Sequence, residues 1–229
     1  CMEAALVTIG DEILAGDTVN TNAAWLGSEL RDCGVTVERM TVVPDRVADI
    51  ARVVNEYRAE YDAVVVTGGL GPTHDDVTME AVAAAFGTEL VTDEAALSWL
   101  RERGYPADDL APGTAKLPAR AELLRNPVGV APGCVIDSVY VLPGVPEEME
   151  AMFDRVCHAF DGETQHVETV ETSEPEKALL DRIATVRERF DVTLGSYPGE
   201  TVRLRVRGSD PEAVTAAADW LRRHVDRPE

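Results

Sequence analysis

Lysine is almost missing from this sequence. Only Lys116 and Lys177 are present, so arginine supplies the other 19 of the 21 basic residues, against 42 acidic residues and a formal net charge of −21. No run of basic residues could neutralise a series of phosphates. The charge therefore argues against nucleic acid, and against an anionic membrane, as the main partner.

Long apolar runs and cysteine pairs are also absent. A membrane-spanning helix needs about 18 or more consecutive apolar residues, and no stretch reaches this length. The apolar run at the N-terminus ends at Asp11 and Glu12, which is not the pattern of a signal peptide. The four cysteines show no CxxC spacing, so a zinc site is not expected. We therefore expect a cytoplasmic protein without a membrane partner.

The acidic excess is spread along the whole chain, which indicates adaptation to a very salty cytosol. At molar ionic strength the Debye length falls to about 3 Å, and repulsion between surface carboxylates is screened. The composition therefore predicts a halophilic source.

This interpretation predicts that the fold loses stability when salt is diluted. Repulsion among the 42 acidic residues returns as screening is removed, so the melting temperature should fall between molar and millimolar KCl. A melting temperature that stays flat, or falls on addition of KCl, would contradict the halophilic interpretation.

Strands and helices alternate over residues 2–161. The segments EAALVTIG, VTVERMTVV and DAVVVTGG predict strands, and TNAAWLGSELRDCG, VADIARVVNEYRAEY and DDVTMEAVAAAFG predict helices. Continuous valine-rich strands between helices predict an α/β fold, with a mostly parallel sheet covered on both faces. After the helical segment DEAALSWLRERG, a proline-rich stretch predicts a long irregular excursion. Two strands, CVIDS and VYVLPG, and the helix PEEMEAMFDRVCHAF follow it.

The composition changes near Gly162. From there the chain predicts a compact βαββα set, with strands HVETVET, VTLGSYP and TVRLRVRG and helices over PEKALLDRIATVRERF and PEAVTAAADWLRRHV. We therefore expect two domains, an α/β domain over 2–161 and a small α+β domain over 162–229.

The segment VVVTGGLGPTHDDVTMEAV, residues 64–82, joins a strand to a helix through three glycines. It lacks the lysine of a Walker loop, and His74 stands where a dinucleotide fingerprint would need its third glycine. What remains is a turn in which Gly68, Gly69 and Gly71 allow close approach of the backbone, before a helix N-terminus that attracts anions.

Two adjacent aspartates, Asp75 and Asp76, follow this turn. One of them could cap the helix, which is worth about 1 kcal/mol. A second carboxylate beside a phosphate site is unfavourable unless a divalent cation bridges the two charges. Since Mg²⁺ binds through one or two carboxylates together with substrate phosphates, we favour a metal site over capping alone.

Four separated motifs resemble the CinA-type branch (competence/damage-inducible protein A) of the MoaB/Mog molybdopterin-binding superfamily. They are IGDEILAGDTVNTNAAWL, TGGLGPTHDDVTMEAVA, NPVGVAPG and VLPGVPEEMEAMF. The resemblance covers nearly the whole chain. It implies a three-layer, MogA-like α/β domain that binds a phosphorylated pterin or an adenine nucleotide, followed by a small KH-like domain. No GxxG loop joins two helices there, so RNA binding is not implied.

The resemblance also implies roles for individual residues. Asp76 falls on the aspartate of the superfamily motif GGxGxxxxDxT, which makes Asp76 and Asp75 the candidate catalytic residues. The implied metal ligands, for Mg, Mn or Co, are Asp76, Asp75, Asp11 and Glu12. The implied ligand-binding residues are Gly68, Gly69, Gly71, Thr78, Asn20, Asn22, Pro143 and Gly144. Simpler alternatives stay open, since Asn20 or Thr21 could cap a helix and LPGVP could be only a turn.

Two departures from the family pattern bear on function. The family often carries an Asn-Arg-Lys run before the proline at 118, whereas this chain has PGTAKLP, which leaves Lys116 as the nearby ammonium. Many bacterial CinA proteins add an amidohydrolase domain that deamidates a pyridine nucleotide, and this sequence ends before it.

The resemblance implies a divalent-metal-dependent hydrolase of a nucleotide pyrophosphate, such as ADP-ribose or FAD. Two alternatives remain: binding or adenylylation of molybdopterin in molybdenum cofactor biosynthesis, and a non-catalytic nucleotide-binding regulator. The superfamily also commonly forms homo-oligomers, and we expect a dimer.

Overall fold

The computed structural model describes residues 2–71, 76–106, 110–160, 162, 166–226 and 228. The chain divides into two compact units, Cys1–Gly162 and Glu163–Glu229. None of the helices within the described residues has the length and apolar character needed to cross a bilayer.

The first unit alternates strands and helices. Its strands are β1 (Glu3–Ile9), β2 (Thr36–Val43), β3 (Ala63–Thr67), β4 (Leu90–Thr92), β5 (Lys116–Pro118), β6 (Glu122–Leu124), β7 (Gly133–Ile136) and β8 (Val139–Leu142). Its helices are α1 (Asp11–Leu14), α2 (Thr21–Asp32), α3 (Val47–Glu60), α4 (Thr78–Ala85), α5 (Glu94–Glu102) and α6 (Pro146–Val156), with a 3₁₀ turn at Cys157–Ala159.

Six of these strands form one sheet in the order β2-β1-β3-β8-β7-β6. The first four are parallel, and β7 and β6 are antiparallel to their neighbours. The prediction of a mostly parallel sheet is therefore confirmed. The proline-rich excursion is more regular than predicted, because it contributes β6 to the sheet edge and β5 to a separate pair with β4.

Helices cover both faces of the sheet, which confirms the three-layer arrangement. On one face, α3 and α4 pack against residues such as Val64 and Val66. On the other, α2 and α6 pack against Ala63 and Val65. Successive strand residues point to opposite faces, so a strand that is buried at every position, as β3 is, contributes to both cores.

The second unit has the predicted βαββα order. It consists of β9 (His166–Thr172), α7 (Glu176–Arg189), β10 (Thr193–Tyr197), β11 (Val202–Gly208) and α8 (Pro211–His224). Its antiparallel sheet has the order β10-β11-β9. Val202, Leu204 and Val206 of β11 are buried in this unit's own core, while the arginines that alternate with them are exposed or half-buried.

Candidate functional site

A cavity of about 850 Å³ lies at the carboxyl ends of the parallel strands of the first unit. The chain places β2 on one side of β1 and β3 on the other, and open α/β sheets bind ligands at the crevice that such a reversal creates. Within the described chain the lining comprises residues 9–12, 45, 68–71, 76, 129–131, 143–145 and 148.

Two consecutive glycines build the turn after β3. Gly68 and Gly69 have φ angles of 101° and 64°, a region that side chains with a Cβ rarely adopt. A Cβ on Gly68 would also collide with the carbonyl oxygen of Ile9, and one on Gly69 with Oγ1 of Thr78. The two glycines therefore let this turn pass against β1 and α4 on its way into the cavity.

Thr78 supports this turn from below. It is fully buried, its Oγ1 donates a hydrogen bond to the carbonyl oxygen of Gly68 at 2.9 Å, and it is not among the residues that line the cavity. The resemblance implied that Thr78 contacts the ligand. In the structure Thr78 lies behind the cavity surface and holds the glycine turn.

Asp76 lines the cavity beside the glycine turn. A Cβ on Gly71 would lie 2.7 Å from Oδ2 of Asp76, so the missing side chain leaves room for this carboxylate. Helix α4 begins at Thr78, three residues later than the sequence predicted, and its N-cap residue is Val77. Asp76 is therefore not the N-cap residue. Asp75 lies outside the described residues.

Three further carboxylates approach the same place from β1 and β2. Asp11 and Glu12 form the first turn of α1, directly after β1. Asp45 follows β2, and its Oδ2 accepts a hydrogen bond from the backbone N–H of Asp11 at 2.8 Å. Together with Asp76, these residues form what we call the acidic wall of the cavity, Asp11, Glu12, Asp45 and Asp76.

The acidic wall perturbs the ionisation of Asp45. Burial raises the pKa of the Asp45 carboxyl above its ordinary value, the hydrogen bond from the Asp11 N–H opposes this, and the charges of Asp11, Glu12 and Asp76 add to the rise. The other three carboxylates are therefore close enough to Asp45 for their charges to affect its pKa.

Sequence reasoning missed Asp45. The strands β1 and β2 are parallel neighbours in which Ile9 pairs with Val43, so the residues that directly follow these two strands lie close together. The position of Asp45 after β2 could therefore have indicated the site, but only if the pairing of β1 with β2 had been known.

The two asparagines shape a smaller cavity of about 120 Å³ that shares Ile9, Glu12, Gly68 and Gly144 with the large one. Asn20 is the N-cap of α2, so the capping alternative is observed, and its Nδ2 donates to Oγ1 of Thr8 at 3.1 Å. Asn22 is buried and donates to the carbonyl oxygen of Gly144 at 2.8 Å.

The motif NPVGVAPG forms another part of the lining of the large cavity. Asn126 is fully buried beneath the loop, and residues 129–131 line the cavity together with Glu148 of α6. Arg103, the C-cap residue of α5, holds the loop, since its Nη1 donates to the carbonyl oxygens of Asn126 and Gly129, both at 2.6 Å. The roles of Arg103 and Glu148 were not predicted from the sequence.

The described lining is strongly electronegative. It contains five carboxylates, those of the acidic wall and Glu148, and no arginine, lysine or histidine. No three His, Cys, Asp or Glu side chains among the residues described are grouped closely enough to hold a metal ion by themselves. The side chains of this described lining therefore carry only negative charge.

Comparison with known families identifies both units. The model described as "Probable molybdopterin binding domain" matches residues 5–161. The model described as "FAD synthase, middle domain" matches residues 164–228, the segment for which the resemblance implied a KH-like domain.

Similar proteins come from archaea and bacteria. A protein of Archaeoglobus fulgidus is 38% identical over 218 residues, covering 94% of this chain and 95% of that protein. A CinA-like protein of Salinibacter ruber is 38% identical over 95% of this chain and 57% of its own length. The crystal structure of the CinA protein with unknown function from Thermoplasma acidophilum is 41% identical, has a TM-score of 0.65, and is matched over 98% of its length by 69% of this chain.

Proposed function

The chain belongs to the probable molybdopterin binding domain family, and within this family we propose that it hydrolyses the diphosphate bond of a nucleotide such as ADP-ribose or FAD with the help of a divalent metal ion. The observation that carries the proposal is a cavity lined by five carboxylates beside a glycine turn, with no basic side chain in its described lining. Such a cavity repels a bare phosphate and accepts one that is paired with a cation.

The acidic wall fits a hard divalent ion. Mg²⁺ keeps several waters and uses one or two carboxylates together with substrate phosphates, so a preformed cage of three or more protein ligands is not required. Asp76 with Asp11 or Glu12 would hold the ion, and Asp75 remains a predicted ligand outside the described residues. When bound, the ion would supply positive charge to the diphosphate and favour loss of a proton from the attacking water.

Groups of the protein itself would accept the proton of the attacking water and donate hydrogen bonds to the phosphoryl oxygens. Asp45, held by the Asp11 N–H, has a raised pKa and would accept the proton of the attacking water. The backbone N–H of Gly68 already donates to the carbonyl oxygen of Leu142, so the N–H groups of Gly69 and Gly71 are the proposed donors to phosphoryl oxygens. Attack on ADP-ribose breaks one P–O bond and releases AMP and ribose 5-phosphate.

The match of residues 164–228 to a model named for FAD synthase supports a flavin or adenine dinucleotide as ligand.

A second candidate function, binding or adenylylation of a phosphorylated pterin, is supported by the smaller cavity. Its lining includes Thr8, Asn20, Asn22 and Thr67, and Oγ1 of Thr67 is buried with no hydrogen-bond partner within the described chain. Hydroxyl and amide groups such as these can form hydrogen bonds with the polar edge of a heterocycle.

The test is an assay of product release at molar KCl. The purified protein is incubated with ADP-ribose, FAD, ATP, or ATP together with a phosphorylated pterin, each with Mg²⁺, Mn²⁺ or Co²⁺ and with EDTA. Binding of the same compounds is measured by calorimetry. We expect metal-dependent release of AMP from ADP-ribose or FAD. Turnover only when ATP and a pterin are supplied together would favour adenylylation, and tight binding without any turnover would identify a regulator.

A further inference from the structure

The carboxylate of Glu148 is held in a fixed position in the lining of the large cavity. Glu148 lies in the first turn of α6 and lines the large cavity. Its Oε2 accepts a hydrogen bond from Nδ2 of Asn126 at 2.7 Å. A Cβ on Gly129 would collide with both carboxylate oxygens, so the glycine leaves the space that the carboxylate occupies.

Asn126 cannot easily turn away from Glu148, because every hydrogen-bonding position of its amide is used. Its Oδ1 accepts from the backbone N–H groups of Val128 at 3.1 Å and Gly129 at 2.7 Å. Its Nδ2 donates to the carbonyl oxygen of Ala131 at 3.0 Å as well as to Glu148. A buried amide with all its bonds made fixes the orientation of its partners.

The loop that carries this amide is itself clamped by Arg103. Besides its two short bonds to the carbonyl oxygens of Asn126 and Gly129, the guanidinium lies over the ring of Trp99, 5.3 Å from its centroid. A planar guanidinium with several fixed donors is well suited to holding carbonyl groups in one arrangement. Glu148 therefore faces the cavity from a preorganised support.

Glu148 and most of the acidic wall follow different strands of the sheet. Helix α6, which carries Glu148, follows β8, and β8 lies on the other side of β3 from β1 and β2, the strands that precede Asp11, Glu12 and Asp45. No lysine or arginine in the described residues forms an ion pair with Glu148. Its Oε1 therefore offers acceptor positions to a ligand in the cavity.

We propose that Glu148 is the specificity-determining residue of this cavity and recognises two adjacent hydrogen-bond donors on the ligand. An ionised carboxylate only accepts hydrogen bonds, so it selects a ribose 2′,3′-diol or the amino and ring N–H edge of a pterin, and it repels phosphate. The ligand is thereby oriented with its phosphates at the acidic wall. This inference rests on the proposed function for the position of the phosphates.

Binding measurements test the inference without requiring turnover. The affinities of two pairs of probes are measured by calorimetry with Mg²⁺ at molar KCl: AMP against 2′,3′-dideoxy-AMP, and 6-hydroxymethylpterin against 6-hydroxymethyl-lumazine, which lacks the 2-amino group. We expect the wild-type protein to prefer the donor-bearing member of one pair by roughly 10- to 100-fold. The pair that shows the preference identifies the source of the donors.

Three variants complete the experiment. Glu148→Gln should reduce the preference to less than about threefold, because one acceptor oxygen is replaced by a donor. Gly129→Ala should have the same effect with the carboxylate still present, since its Cβ would displace Glu148. Glu147→Gln, a neighbouring exposed position outside the lining, should keep the wild-type preference.

The inference is overturned if the wild-type protein binds both members of each pair equally, if it binds none of the four probes, or if Glu148→Gln keeps the full preference. A protein that shows the expected preference but releases no AMP from any nucleotide contradicts the proposed hydrolysis and leaves the role of Glu148 standing. The two failures are therefore distinguishable.

Discussion

Replacing Asp76 with asparagine is expected to lower the turnover of ADP-ribose or FAD by more than about 100-fold, since loss of even an outer partner of a bound metal commonly costs about 10- to 100-fold. The substitution removes a charge from the acidic wall while keeping the shape of the side chain. Because asparagine keeps this shape and Asp76 is not the N-cap of α4, the variant should lose far more activity than free energy of unfolding.

The measurement combines steady-state kinetics at several metal concentrations with thermal unfolding. Asp154→Asn is the matched control, because Asp154 is an exposed residue of α6 outside the cavity lining. The control should leave both activity and melting temperature unchanged. If the Asp76 variant retained near-normal turnover and the same metal dependence, Asp76 would not be a metal ligand.

Asp45→Asn should abolish most of the activity and at the same time stabilise the metal-free protein. The folded-state pKa of Asp45 is raised by burial and by its acidic neighbours, so the charged form is disfavoured by folding. Asparagine removes this charge, and its Oδ1 can still accept the hydrogen bond from the Asp11 N–H. We therefore expect a higher melting temperature for the variant at neutral pH without metal.

The pH dependence of this difference follows from the direction of the shift. Because its folded-state pKa is raised, Asp45 binds more protons in the folded protein than in the unfolded chain. The contribution of Asp45 to the free energy of unfolding therefore falls as the pH rises from the ordinary aspartate pKa to the folded-state pKa. The free energies of unfolding of wild type and variant should become equal below the ordinary aspartate pKa. They should differ by a constant amount above the folded-state pKa of Asp45. A difference that grows on acidification would contradict the assigned shift.

Addition of metal should stabilise the wild type more than the variant. A ligand that binds only the folded state stabilises it by RT ln(1 + [L]/Kd), and the variant, whose acidic wall has one charge fewer, should bind the ion more weakly. Unfolding curves recorded with EDTA and with excess Mg²⁺ or Mn²⁺ provide the measurement. A variant that gains as much from metal as the wild type would show that the charge of Asp45 does not contribute to metal binding.

Local sequence patterns predicted much of this fold and part of its cavity. The strand AVVVT and the paired glycines that follow it are recognisable because their signals lie within a few neighbouring residues, as does Asp76 after them. Asp11 and Glu12, at the end of the first apolar strand, were assigned to the site through the family resemblance. In each case the residue lies directly after a strand whose pattern is visible in the sequence.

The missed residues depend on contacts between distant segments. Asp45 reaches the acidic wall only through the register of β2 on β1. Glu148 meets Asn126 across 22 residues, and Arg103 meets the carbonyl groups of the same loop across 23 and 26 residues. Every residue has a backbone carbonyl, so the sequence shows the donor of such a hydrogen bond but not its acceptors. No sequence pattern therefore marks Arg103 as the residue that holds this loop.

The topology of the sheet also determines when a growing chain can acquire this cavity. Strand β3 lies between β1 and β8, yet β8 is synthesised long after β3. Until β8 pairs, one edge of the apolar strand AVVVT stays open, and such edges favour aggregation. The late pairing also brings Pro143 and Gly144 into place, because they follow β8 directly. We therefore expect the closing of this edge and the completion of the cavity to occur together and late, so that a ligand would protect the folded chain from unfolding without guiding its early folding.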